Sequence, residues 1–288
     1  MFTRQMNSTT SRFSYPIVSL VVRCLSFSIV TVLAPLPMVY AQVPSNYVVV
    51  REVSVPGSDL VVTDLSNTGE VAAVAYFEKA PSKTLVSTPK KTFVLPVAFD
   101  PRGIAENGLM VGSALINGRQ TGALYQFRSG NGASAFQQLL PFGVDSFGSI
   151  ASDVNNNGVA VGYSNLRTTT GFVRATKWVN GSPSLLTVPG ECNEAHAIND
   201  AGQIVGSYSR PGEWCFPLRG FLLSNGLSTP IVLNGYEYSY PGTITSDGTV
   251  LGCAGNLGDG SGGRAFFFWN GYATDLGGVV YPRSCAVG

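Results

Sequence analysis

The sequence is poor in charge. Asp, Glu, Lys and Arg make up 12% of its 288 residues, about half the share usual in a soluble domain. Three of the 18 basic residues, Arg4, Arg12 and Arg23, sit in an N-terminal stretch without acids, and the remainder holds 15 basic against 17 acidic groups. That balance excludes the basic footprint with which proteins grip nucleic acid. The single histidine, His196, excludes a His-rich metal site, and the cysteines lack paired C-x-x-C spacing, so neither a metal nor a cofactor is expected. No G-x-S-x-G nucleophile elbow occurs. Nor does any uninterrupted apolar run approach the roughly 20 residues that span a bilayer. What is plentiful is Gly (34), Pro (17) and aromatic residues (11%), the composition of a turn-rich all-β protein.

The N-terminus reads as a secretory signal peptide over positions 1 to 41. Basic residues precede a short apolar run, Leu25 to Leu33, and Val39-Tyr40-Ala41 offers small residues for cleavage near Ala41. The mature chain is therefore expected to be extracellular or periplasmic, with no membrane span. Cys24 leaves with the leader, and Cys192, Cys215, Cys253 and Cys285 remain. An even number in an oxidising compartment suggests two disulfides, with three pairings open.

From position 61 one phrase returns five times: Asp64 to Gly69, Gly103 to Gly108, Asp153 to Gly158, Ala197 to Gly202 and Thr243 to Gly248. The spacings are 39, 50, 44 and 46 residues. Asn-Gly or Asp-Gly in three of these copies points to two-residue type I′ hairpins. Four residues on, a second glycine recurs as Gly112, Gly162, Gly206 and Gly252, which allows a close backbone approach or a bulge. Each of the last three units then offers an apolar-aromatic strand, an Asn-Gly turn (Asn180-Gly181, Asn225-Gly226, Asn270-Gly271) and a fourth strand. Four short antiparallel strands every 40 to 50 residues is the period of a propeller blade. The expected fold is thus a five-bladed β-propeller over residues 61–288. Residues 42–60 supply a further strand, Tyr47 to Val55, suited to closing the ring.

Glu194 to Ser209 and Arg264 to Gly278 resemble the HAF family of probable extracellular repeats, and the likeness extends over about positions 61 to 278. It is weakest in the first unit, where Lys79 to Lys91 reads as a basic insert and Ala73 replaces the second glycine. The His-Ala-Phe triplet that names the family survives only as Arg264-Ala265-Phe266, Arg219-Gly220-Phe221 and Thr170-Gly171-Phe172. This resemblance implies secretion and repeat architecture, and no particular activity.

Chain direction places the tight turns on one rim and the longer links on the other, where loops on a rigid scaffold usually bind. All four mature cysteines fall on the long-loop rim, which favours Cys192 with Cys215 and Cys253 with Cys285. The same rim is expected to carry Tyr236, Tyr238 and Tyr240 on a loop, Trp214 with Arg210 and Arg219 nearby, and Tyr281. Such rings, large in area and cheap in entropy, suit a glycan or a cell-surface protein; the competing reading is a strand whose tyrosines cover a blade edge. Asp64 and Asp153 occupy equivalent positions, so a propeller glycosidase with paired aspartates is the enzymatic alternative, and a purely structural surface component is the third. His196 reads as a partly buried structural residue. Asp153 to Gly158 opens like a calcium loop but has Ser164 where a bidentate Glu is needed, so a plain hairpin is the preferred reading.

Overall fold

The computed structural model describes residues 53–96, 99–127, 135–166, 172–210, 212–213, 215, 218–256 and 263–277. These residues form five four-stranded antiparallel sheets, each built from four consecutive strands. Blade one contains β1 (Ser58–Leu65), β2 (Val71–Phe77), β3 (Lys83–Ser87) and β4 (Thr92–Val94). Blade two contains β5 (Asp100–Ile104), β6 (Leu109–Ile116), β7 (Arg119–Gln126) and β8 (Ala135–Leu139). Blade three runs through β9 (Gly148–Val154), β10 (Val159–Asn165), β11 (Val173–Val179) and β12 (Ser182–Leu185). Blade four holds β13 (Asn193–Ile198), β14 (Ile204–Ser209), β15 (Leu218–Ser224) and β16 (Leu227–Ile231). Blade five holds β17 (Tyr238–Ile244), β18 (Val250–Gly255), β19 (Arg264–Trp269) and β20 (Tyr272–Asp275).

The first strands contact one another in succession, β1 with β5, β5 with β9, β9 with β13 and β13 with β17. Strand one of each blade is therefore innermost, and the fold is a five-bladed β-propeller. Second strands, packed on both faces, are apolar or small in unbroken runs. The first five residues of β2, Val-Ala-Ala-Val-Ala, are all buried, whereas β20 has no buried residue. Apolar clusters fill the spaces between successive blades. Val86, Phe99 and Met110 join blades one and two; Val111, Leu139 and Trp178 join two and three; Val161, Ile204 and Phe221 join three and four; Val205, Ile231 and Phe266 join four and five. Fully buried side chains such as Trp178, Phe221 and Phe266 contribute about 2–3 kcal/mol each.

Three features of the repeat have distinct physical reasons. First, every innermost strand carries a β-bulge, at Thr63, Arg102, Ser152, His196 and Gly242. Second, in blades two to five the glycine opposite is required by that bulge, whereas blade one carries its bulge opposite Ala73. A Cβ on Gly112, Gly162, Gly206 or Gly252 would collide with the carbonyl of Asp100, Ile150, Glu194 or Tyr240, which is the close approach that only glycine permits. Third, the recurrent phrase closes a three-residue loop rather than a two-residue one. In blade two Ala105 N donates to Leu109 O at 2.8 Å and Gly108 N to Ala105 O at 3.0 Å, with Gly108 at φ 79°. Only the glycine is left-handed there, because an extra residue is accommodated as a bulge.

The type I′ geometry appears instead at Asn180-Gly181, Asn225-Gly226 and Asn270-Gly271, where both residues have positive φ. Strand four consequently starts directly after each glycine, at Ser182, Leu227 and Tyr272. Asn117-Gly118 is the fourth such pair, but it joins β6 to β7 and so lies on the opposite rim, contrary to the sequence expectation. The supposed basic insert of unit one is also regular structure, since β3 is built from Lys83–Ser87. Of the expected closing strand Tyr47 to Val55, only Val53–Val55 lie among the described residues, and they are not in a strand.

Turn residues stitch adjacent blades together. Asn155, which is buried, accepts from Asn157 N and Val159 N through Oδ1 and donates from Nδ2 to Asn199 O of the next blade at 3.1 Å. Asn199 repeats the motif, donating to Thr245 O at 3.0 Å. Outside them, Asn156 donates twice to the Asp200 carboxylate at 2.7–2.8 Å, Asn107 donates to Asn156, and Asn67 donates to Glu106. The repeated polar phrase is an inter-blade belt. In Asp153 to Gly158 the carboxylate and Asn155 Oδ1 are engaged by N–H donors, as a hairpin requires; among the described residues no group of three or more His, Cys, Asp or Glu side chains is placed to hold a metal ion.

Candidate functional site

Asp64 and Asp153 belong to the same stitching. Asp64 accepts Leu65 N at 2.8 Å and, across the blade boundary, Ile104 N at 2.7 Å. Asp153 accepts Val154 N at 2.7 Å and Ile198 N of the next blade at 2.8 Å. Each carboxylate thus spends one oxygen on its own strand and the other on its neighbour. Gly103 lies between them in the ring, and a Cβ there would stand 2.8 Å from Asp153 Oδ1. The missing side chain is what gives the carboxylate its room. Burial pushes Asp64 upward from its ordinary pKa, against the two N–H bonds. Asp153 is pushed up to about 7, by burial first, with the Ile198 N–H opposing and the Asp64 charge adding. Both residues retain some solvent-accessible surface while being crowded by protein atoms.

The rim residues divide into two groups. Tyr238 and Tyr240 lie on innermost strand β17, not on a loop, and Tyr236 lies two residues before it. Alternation places Ser239 inward, where it accepts Gly220 N at 2.8 Å and donates to Ile231 O at 2.6 Å. Tyr236 Oη donates to Asp275 Oδ2 at 2.9 Å, Arg264 Nη2 lies 3.0 Å from the same oxygen, and Arg219 Nη1 donates to Tyr236 O at 3.1 Å. Arg210 pairs with Glu213 at 3.6 Å and acts on Arg219 electrostatically. Tyr236, Arg210 and Arg219 therefore share one rim network at blades four and five. Trp214, Tyr281 and Cys285 lie outside the described residues. Cys192 and Cys215 form a disulfide, with Cα atoms 5.1 Å apart, and Cys253 is also disulfide-bonded.

Tyr240 joins a different constellation. Its ring stacks on His196 with centroids 4.0 Å apart and planes 27° from parallel. His196 Nδ1 lies 2.6 Å from Pro241 O, which can only accept and so places a hydrogen on Nδ1, and Nε2 lies 3.2 Å from Ser207 Oγ and 3.1 Å from Glu194 Oε1, whose carboxylate likewise can only accept. Arg102 of β5, Tyr163 of β10, Glu194 of β13 and Tyr240 of β17 all interact electrostatically. They come from four blades, and only the propeller axis brings four blades together. The innermost strands begin at the long-loop rim, so Arg102, Glu194 and Tyr240, near those beginnings, mark the mouth of the axis on that side.

Burial acts to raise Glu194, but its bond to His196, the His196 charge, Ser207 and Arg102 together hold it below its ordinary value. Tyr240 keeps 42% of its surface exposed, yet enough protein surrounds the phenol, with Glu194 nearby, to push it up to about 12. The sequence reading missed Arg102, Tyr163 and Glu194 as site residues and treated His196 as structural, which its double anchoring supports. A signal was available in the repeat: counting two residues back from each bulge gives Val61, Asp100, Ile150, Glu194 and Tyr240. No two are alike.

Two clefts lie away from this mouth. One of about 490 Å³ opens between blades three and four beside the turn belt, lined by Lys177, Asp200 and Asn225 among others. A second of about 360 Å³ lies between blades one and two, beside Tyr76, Asp100 and Leu115. Each draws titratable groups from only two blades, so the axial mouth, which draws them from four, is the stronger candidate.

No family model matches the sequence, and no curated protein matches it. Solved structures do. The putative TolB from Agrobacterium tumefaciens aligns with a TM-score of 0.54 at 13% identity, over 76% of this chain and 80% of that one. TolB from Acinetobacter baumannii aligns with a TM-score of 0.50 at 15% identity, over 74% of this chain. This chain spans about half of that protein, 52% of its length. At such identities the likeness is one of fold. Among the described residues no helix is long and apolar enough to cross a membrane.

Proposed function

We propose that the protein is a secreted, non-catalytic HAF-type propeller that offers its long-loop rim to a surface glycan or cell-surface protein. The observation that carries this reading is the half-exposed Tyr240 ring, stacked on His196 at the rim end of the innermost strand. A rigid aromatic face loses little entropy when a partner covers it. The Cys192–Cys215 disulfide fits an oxidising compartment and hence export after cleavage near Ala41, to the periplasm or beyond. The glycosidase alternative is weaker, because both oxygens of Asp64 and of Asp153 already accept backbone N–H groups. Its one favourable sign is the raised Asp153 pKa.

The test is a polysaccharide and cell-surface binding screen on residues 42–288, exported through an oxidising compartment, beside a variant with Tyr236, Tyr238 and Tyr240 replaced by Ala. Saturable binding lost in the variant is the expected result; absence of binding to any glycan or cell surface would overturn the reading. Shortening of a polysaccharide, abolished by Asp153→Asn, would instead establish the hydrolase.

A further inference from the structure

We propose that the axial mouth formed by Arg102, Tyr163, Glu194, His196 and Tyr240 seats a single neutral sugar ring. This rests on the glycan reading above and names where, and what part of, a glycan would bind.

The platform comes first. Tyr240 is open on one side and backed on the other by His196, whose side chain is 8% exposed and held by Pro241 O and Ser207 Oγ. A backed ring cannot swing away, so its face is prepared for the C–H surface of a pyranose. Groups of opposite sign act on it: Glu194 is held beside the same His196, and the Arg102 charge reaches both Glu194 and Tyr240. Glu194, with 26% of its side chain exposed, only accepts hydrogen bonds, and exposed Arg102 only donates them. An anion would meet Glu194 unfavourably, and a simple cation would meet Arg102 in the same way. A neutral ring bearing hydroxyls satisfies both, because each hydroxyl donates and accepts. Position supports the same conclusion. The sequence phrase that repeats is consumed in inter-blade bonds, whereas Arg102 and His196 share the bulge position and Glu194 and Tyr240 the position two residues before it, and in each pair the residue types differ.

The experiment is saturation-transfer NMR on the exported chain with the methyl glycosides of glucose, galactose, mannose and N-acetylglucosamine, and with glycine betaine as a zwitterionic control. At least one glycoside is expected to bind. Its affinity should fall on the order of tenfold in Tyr240→Leu and in Arg102→Gln, and should persist in Tyr240→Phe, which keeps the stacking face. Tyr240 is exposed enough that loss of folding is not the expected cause, and an unchanged urea midpoint checks this. Binding of betaine but of no glycoside would overturn the ligand class. Glycoside binding that survives Tyr240→Leu but is lost in Arg219→Gln would overturn the axial site and leave the rim reading standing. Absence of glycoside binding together with absence of polysaccharide binding would overturn both.

Discussion

The turn rim and the axial mouth are built from the same five-fold repeat and use it in opposite ways. On the turn rim, equivalent residues do equivalent work: Asn155 and Asn199 each hold their own loop and reach a carbonyl of the next blade. At the mouth, the bulge position carries Arg102 and His196 and the position two residues before it carries Glu194 and Tyr240, and these side chains interact with one another instead of copying one another. Repetition therefore marks the scaffold, and departure from repetition marks the candidate site. The two carboxylates Asp64 and Asp153 fall on the scaffold side of this division, because each bridges two blades.

Several substitutions would break this comparison, and the largest effect is expected at the bulge glycines. Gly206→Ala drives a Cβ into the Glu194 carbonyl and the Phe221 ring, and should cost about 3 kcal/mol in urea unfolding; Ala73→Gly, at the one unit that already tolerates a Cβ, should cost under about 1 kcal/mol. Equal losses would show that the bulge does not dictate the glycine. Next comes the belt. Asn155→Ala leaves the N–H groups of Asn157 and Val159 without their acceptor and should cost about 2–3 kcal/mol, whereas exposed Asn67→Ala should cost less than about 1 kcal/mol. Removing the Cys192–Cys215 bridge, which closes a separation of 23 residues, should cost about 3 kcal/mol in a double Ser variant compared with the oxidised parent.

A pH-dependent effect separates charge from hydrogen bonding at Asp153. Its folded pKa of about 7 exceeds the ordinary 3.8, so the folded state holds the extra proton between those values. That contribution is fully present below about pH 4 and is lost as pH rises towards 7. Unfolding midpoints should thus decline across this window in the parent and follow a flatter course in Asp153→Asn. An unchanged slope would mean that the carboxylate is not crowded by the surrounding protein.

Much of the scaffold was legible because it repeats. The number of blades, the close approach at the second glycine and the Cys192–Cys215 pairing followed from comparing the chain with itself. Turn type did not, because Asn-Gly in a three-residue loop looks the same in sequence as Asn-Gly in a two-residue one, and only the backbone pairing of Ala105 with Leu109 distinguishes them. Lys83–Ser87 was misread as an insert since its burial depends on neighbours rather than on its own composition. The axial cluster was hidden for a related reason: Arg102 and Glu194 are 92 positions apart in sequence and approach only when blades two and four share an axis. Tyr236 to Tyr240 read as one aromatic patch, yet strand geometry sends Tyr236 to Asp275 and Tyr240 to His196.

The most direct test of this division is hydrogen–deuterium exchange on the exported chain, with and without a saturating glycan from the binding screen. The account predicts slowed exchange at the starts of the innermost strands, around Asn193–Ala197 and Tyr238–Pro241, and no change at the turns around Asn156, Asp200 and Asp247. Protection confined to the turn rim would contradict it.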